Sequence, residues 1–434
     1  MSEPLADRLR RIARPLADDH DLDPLLERIG DAHVVMLGEA SHGTSEYYTW
    51  RDRITRRLVR EKGFDFIAVE GDWPDCYTVN RFVKGYAAAA SDAREVLHAF
   101  SRWPTWMWAN EEIVALATWL QRHNADRPPD RHVGFYGLDV YSLWDSMHAV
   151  LEYLDRIDPP AARTARRAYG CFDPYHDDAQ EYAMATAVVP TSCEDETIAI
   201  LRELRRKAPQ YAEDGREAYF NAEQNALVAR NAELYYRTMV RGGSKSWNVR
   251  DTHMAETLER LLAFHGTDAK AVVWEHNTHI GDARATDMAA AGMTNIGQIA
   301  RETWGAGNVV LVGFGGYEGT VIAGGGWGEP MERMRVPPAR EGSWESLLHQ
   351  AVGDDLLMLT ADLEGAADFD EPRDHRAIGV VYHPARERYG NYVPTVMPAR
   401  YDAFIHLERT TALRPLHMPA RVDGEAPETY PTGQ

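Results

Sequence analysis

The chain of 434 residues is poor in cysteine, poor in lysine and without any long apolar run. Its three cysteines, Cys76, Cys171 and Cys193, are odd in number and form no C-x-x-C pair. That argues against a disulfide framework and against a structural zinc site, and it points to a reduced, cytoplasmic compartment. Only Lys62, Lys84, Lys207, Lys245 and Lys270 are lysines among 47 basic residues. Against 67 acidic residues the formal net charge is -20. A nucleic-acid partner is excluded on that count, because displacing phosphate counterions needs clustered Lys and Arg. No stretch of about 18 apolar residues is present, and the opening MSEPLADRLRRIA lacks an apolar segment of the signal-peptide kind. A soluble protein with no membrane partner is expected. G-x-S-x-G, G-K-[ST] and H-E-x-x-H signatures are also missing, so neither a serine-hydrolase elbow, a P-loop nor a zincin helix is indicated.

What the sequence does contain is a series of short branched and aromatic runs set between helical patterns. They are His33–Leu37, Asp65–Val69, His132–Tyr136, Ala271–Trp274, Val309–Val312 and Ile378–Tyr382. Continuous apolar character predicts strands buried on both faces, hence an α/β fold with a mostly parallel central sheet flanked by helices. Between residues 141 and 264 the pattern is helical, with Met254, Leu258, Leu261 and Leu262 on one apolar face. The expected organisation is a single domain over 1–434. Its α/β core covers about 25–140 and 265–420, and a large helical insertion over about 141–264 caps the rim of the site. An independent helical domain is the alternative. The tail from Asp423 to Gln434 reads as frayed.

The residues that follow the strands carry the chemistry. His33–Leu37 runs into Gly38-Glu39-Ala40-Ser41-His42-Gly43-Thr44, and Asp65–Val69 into Glu70-Gly71-Asp72-Trp73-Pro74-Asp75. The His132–Tyr136 run leads to Asp139, and Ala271–Trp274 to Glu275-His276-Asn277-Thr278-His279. Ligands of parallel sheets bind outside the carboxyl ends of the strands, so Glu39, Glu70, Asp139 and His276 should meet at one rim. His42, in a glycine-flanked loop before a helix that Ser45 can cap, is placed to stay a neutral base. Glu70 needs a buried partner; Arg51 is a candidate, its alternatives being a role in binding an anionic intermediate or a solvated place on its helix. Asp72 and Pro74 read as a helix cap with an early proline. His276 and His279, three apart, suit proton transfer or a metal pair; without a further ligand signature, no metal and no cofactor are expected. The glycines at 313, 315 and 316 and at 324–326 are expected to shape loops at the rim. Trp103, Trp106, Met107 and Trp108 either line an apolar cleft or pack the cap.

Gly38–Thr44 (GEASHGT), Ala68–Val79 (AVEGDWPDCYTV), Trp274–Arg284 (WEHNTHIGDAR), Gly313–Thr320 (GFGGYEGT) and Arg335–Trp344 (RVPPAREGSW) closely resemble the erythromycin esterase family. The resemblance spans about residues 30–410. It implies a parallel α/β core and metal-independent hydrolysis of a macrolide lactone, with Glu39, His42, Arg51, Glu70, His276 and His279 essential and His42 as the base. Gly43 replaces the bulky aromatic of the antibiotic-resistance esterases, which also lack the D-W-P-D stretch. The chain is more similar to the branch labelled succinoglycan biosynthesis proteins. A small-molecule ester or lactone is thus the expected partner. A metal-dependent hydrolase using His42, His276 and His279, and a non-catalytic small-molecule binder, are the alternatives; oligomeric state is left open.

Overall fold

The computed structural model describes residues 5–417 apart from 87–88, 176–177, 189–191, 212–214, 241 and 364–366. Its strands are β1 (Arg14–Pro15), β2 (Val34–Leu37), β3 (Phe66–Asp72), β4 (Gly134–Asp139), β5 (Ala271–Trp274), β6 (Val309–Gly324), β7 (Met331–Val336), β8 (Leu356–Leu359), β9 (Arg373–Arg376), β10 (Tyr392–Thr395) and β11 (Ala403–Thr410). The main sheet runs in the order β1-β8-β11-β6-β2-β5-β3-β4, with β7 pairing β6 and a separate β9–β10 pair. From β11 to β4 every pairing is parallel, while β8, β1 and β7 join antiparallel.

Burial on both faces follows from strand alternation. Val35 and Leu37 of β2 and Val272 and Trp274 of β5 enter one apolar layer. Val34, Met36, Ala271 and Val273 enter the opposite layer. Each face therefore has to be apolar, which explains the unbroken runs in the sequence. The helices from Leu143 to His265 include Leu143–Ile157, Arg216–Met239 and Ser244–His265, and many of them share a third apolar cluster. No helix among the described residues is long and apolar enough to cross a membrane.

Several expectations are corrected. Ile378–Tyr382 is not a strand of the sheet: it makes only isolated parallel bridges, Ile378 with Ser41 and Val381 with Gly324. The sheet position beside β6 is taken by β11. Gly313, Gly315 and Gly316 lie within β6, where a Cβ on Gly313 would come within 2.7 Å of the Tyr401 ring. Cys171 is disulfide-bonded to Cys193, with Cα atoms 6.0 Å apart, and buried Cys76 is the free thiol. A pairing across 22 residues has no short-motif signal, and its presence removes the argument for a reduced compartment.

Candidate active site

Neighbouring strands β2, β5, β3 and β4 all end at the same edge of the sheet, and the loops that leave them are bonded side by side. The Asn277 amide donates to the Glu39 carbonyl at 2.9 Å, joining the loop after β5 to the loop after β2. Gly43 makes the second of these loops possible. Its carbonyl accepts from Ile322 and Leu413, and a Cβ there would fall 1.9 Å from the Ile322 carbonyl oxygen. A side chain at 43 would push β6 away and drag His42 with it.

Glu39 and His42 form a buried pair, with Glu39 Oε1 2.9 Å from His42 Nδ1. The second oxygen of Glu39 accepts from Arg51 Nη2 at 2.6 Å. Arg51 is fully buried in the Ser45–Lys62 helix, and its guanidinium also lies over the rings of Tyr48 and Trp274 at 4.4 and 4.7 Å. A carboxylate facing Nδ1 fixes the imidazole proton there and leaves the lone pair on Nε2. His276 is held in the opposite tautomer. Its Nδ1 accepts from the Thr278 amide at 3.3 Å and lies 2.8 Å from the Thr278 hydroxyl, so its proton sits on Nε2. The two rings are 5.0 Å apart. Burial, and then the neighbouring His42, push the His276 pKa well down, which keeps this ring neutral. The site thus presents one ring as base and the other as hydrogen-bond donor.

A second network lies beside the first. Arg250, from the Ser244–His265 helix, forms two bonds with Asp139 at 2.9 and 2.7 Å and donates to Glu70 Oε1 at 2.8 Å. Glu70 Oε2 accepts the His276 amide at 2.8 Å. Burial opposes ionisation of Glu70, but His279, His42, Arg250 and that amide outweigh it and hold the carboxyl well below its usual range. His279 Nδ1 lies 2.9 Å from Asp251, and its ring stacks on Trp247 at 4.5 Å. Its Nε2 is 3.1 Å from Arg250 Nη1 and 3.5 Å from Glu70. Neutral His279 accepts from Arg250; protonated, it turns its charge to Glu70. Burial would lower its pKa, but Asp251 and Glu70 raise it overall.

All six sequence candidates, Glu39, His42, Arg51, Glu70, His276 and His279, come together here and are buried. Three local assignments change. Arg51 pairs with Glu39, and the partner of Glu70 is Arg250. Asp72 occupies the cap position without a side-chain cap bond and pairs with Arg102 at 3.1 Å. Thr44, not Ser45, precedes the Ser45–Lys62 helix, and the Ser45 hydroxyl donates to Glu112. Arg250 and Asp251 were not foreseen. The usable signal was a charge on an apolar stripe, since Asp251, Met254, Leu258 and Leu261 share one face of their helix.

A cavity reaches this cluster at Glu70, Asp139 and Arg250, walled by Trp103, Trp108 and Trp327. Trp106 is packed in the core instead. His42 and His276 are buried and do not line it. Among the described residues no group of three or more His, Cys, Asp or Glu side chains is gathered as a metal would need.

The comparisons agree with this frame. The erythromycin esterase family model matches residues 59–410. The Bacillus subtilis (strain 168) protein YbfO, named provisionally as a hydrolase, is 22% identical over 93% of this chain and 90% of its own length. Erythromycin esterase type II of Escherichia coli is 28% identical over 28% of this chain and 26% of its own. A solved succinoglycan biosynthesis protein superposes with a TM-score of 0.78 at 22% identity, covering 94% of this chain and 97% of that one. A histidine-to-asparagine mutant of the erythromycin esterase EreC, in an open conformation, gives 0.64 at 17% identity, covering 93% and 97%. At such identities the structural likeness concerns the fold.

Proposed function

Because the chain belongs to the erythromycin esterase family, we propose that it hydrolyses a small-molecule ester or lactone, with His42 as the general base that activates water. Family membership supports a hydrolase. The observation that carries the finer reading is the Arg51–Glu39–His42 relay, in which a buried carboxylate sets the imidazole tautomer and an arginine fixes the carboxylate. His42 Nε2 removes a proton from water as it adds to the carbonyl carbon. His276 Nε2–H, buried without a hydrogen-bond partner among the described residues, donates to the oxyanion that forms. Collapse of the tetrahedral adduct expels the alcohol, which takes the proton back from His42. Glu70 and Arg250 hold the His276 backbone and the His279 ring in place.

Both histidines are buried and do not line the cavity, so a substrate reaches them only after a movement, for which the aromatic wall is our candidate. That an EreC mutant has been solved in an open conformation supports such a movement in this fold. The test is turnover of a panel of macrolides, simple lactones and acylated sugars by the chelator-treated wild type and by His42→Asn. Hydrolysis by the wild type alone is expected. Stoichiometric binding with no turnover across the panel would favour a binding protein, and activity restored only by added zinc would favour the metal-dependent reading.

A further inference from the structure

Glu275 is an ionisable side chain that the hydrolytic scheme does not use. It follows β5 directly and precedes His276. It is 0% exposed, and neither of its carboxyl oxygens has a hydrogen-bond partner among the described residues. Continuing the alternation of β5 puts Glu275 in the row of Ala271 and Val273, on the face covered by the Ser244–His265 helix that carries Met254 and Leu258. The charged groups acting on it are Glu70 of β3, Asp139 of β4, and Asp251 and Arg250 of that helix. His276 and His279 follow on its own loop. Three of those groups are carboxylates, and Arg250, already bonded to Glu70 and Asp139, is the one permanent cation among them.

A fourth carboxylate at this depth would be desolvated, unpartnered and surrounded by like charge, so the charged form is strongly disfavoured. An apolar side chain would meet none of these penalties, yet the position holds an acid. We propose that Glu275 is a positioning residue that works as a neutral carboxylic acid, its retained proton keeping Glu70, Asp139 and Asp251 matched to Arg250 and His279. Loss of that proton at alkaline pH adds a fourth negative charge, draws Arg250 and the His279 proton away from Glu70, and loosens the His276 backbone that Glu70 holds. Burial, followed by the charges of Glu70 and Asp251, raises the Glu275 pKa well above the usual carboxylate range, in keeping with this role.

The inference rests on the proposed hydrolysis only for its kinetic arm, and the first arm needs no substrate. Infrared difference spectra of the full chain at neutral pH should show the carbonyl stretch of a protonated carboxyl that is absent from Glu275→Gln and from the apolar Glu275→Leu. Titrating the wild type upward should convert that band to carboxylate. On a substrate from the panel, the wild type should lose kcat at alkaline pH, and Glu275→Gln should keep the acid half of the profile without that alkaline fall. Identical spectra for wild type and variants, or an unchanged alkaline limb in Glu275→Gln, would overturn the proposal. Failure of both variants to fold, judged by melting, would make Glu275 a packing group and overturn it equally.

Discussion

Arg51 and Glu39, twelve residues apart in the chain, meet at 2.6 Å in full burial, while Glu70 is left to Arg250 at 2.8 Å. Glu39 and Glu70 therefore answer to different arginines, Arg51 for Glu39 alone and Arg250 for Glu70 together with Asp139. Glu39 therefore orients His42 through contacts that Arg250 and His279 do not share. Two environments give two roles, one for a base and one for its support.

Arg51→Met should be costly in two ways. It leaves the buried Glu39 carboxylate without its cationic partner, held by His42 alone, a loss of about 3–5 kcal/mol in stability. It also leaves His42 without an anchored orienting group. Arg51→Lys should not restore turnover, because a point charge replaces neither the Nη2 bond to Glu39 nor the planar contacts with Tyr48 and Trp274. Urea unfolding and kcat on the same samples check both, and a lysine variant with full activity would refute the orienting role.

Arg250→Met removes the shared partner of Glu70 and Asp139 and should destabilise by a similar amount, about 3–5 kcal/mol. Protonation of the orphaned carboxylates would relieve it. The stability gap between variant and wild type should therefore narrow as pH falls toward 4, and a gap independent of pH would count against the pairing.

Much of this site was legible because it hangs on strand ends. β2, β3 and β5 are buried on both faces, so their apolar runs were continuous and the first polar residue after each marked the rim. β11 escaped notice because His406, Glu408 and Arg409 interrupt its apolar character, although His406 is itself buried against the sheet. Arg250 and Asp251 were hidden for a different reason. They lie on a helix whose period was plain, but which end of the sheet that helix crosses depends on the packing of everything between β4 and β5.

Acid stability should be governed by buried carboxylates of this kind. Burial works against ionisation of Glu345, but His375 and Arg376 outweigh it and pull the pKa down to about 2. A carboxyl depressed in the folded state contributes stability that is present above its unfolded value, about 4.5, and lost as pH falls through the folded value. Glu70 is shifted in the same direction. The melting temperature should thus fall steeply between about pH 4.5 and 2, and Glu345→Gln should flatten part of that slope while lowering the plateau at neutral pH. A Glu345→Gln curve parallel to wild type would show that this carboxyl is not linked to acid unfolding.

The aromatic wall of the cavity is held shut by two contacts. Trp103 packs against Trp327 with ring centroids 4.6 Å apart, and its indole N–H donates to the Glu329 carbonyl at 3.0 Å, tying the segment after Phe100 to the turn that links β6 and β7. On the inner side Arg102 pairs with Asp72. If this wall guards the histidines, both contacts have to open before a reagent reaches His42 or His276. An aromatic pair contributes about 0.5–1.5 kcal/mol beyond its buried area, so Trp327→Ala should raise the open population by about two- to tenfold. Acylation of the buried imidazoles by diethylpyrocarbonate, followed by peptide mapping, reads that population directly and needs no substrate. Labelling of His42 and His276 should be slow in the wild type and faster by about that factor in Trp327→Ala. Exposed His20 should react at the same rate in both. If His42 and His276 were labelled as fast as His20 in the wild type, the wall would not control entry, and the route to the base would have to run through another face of the site.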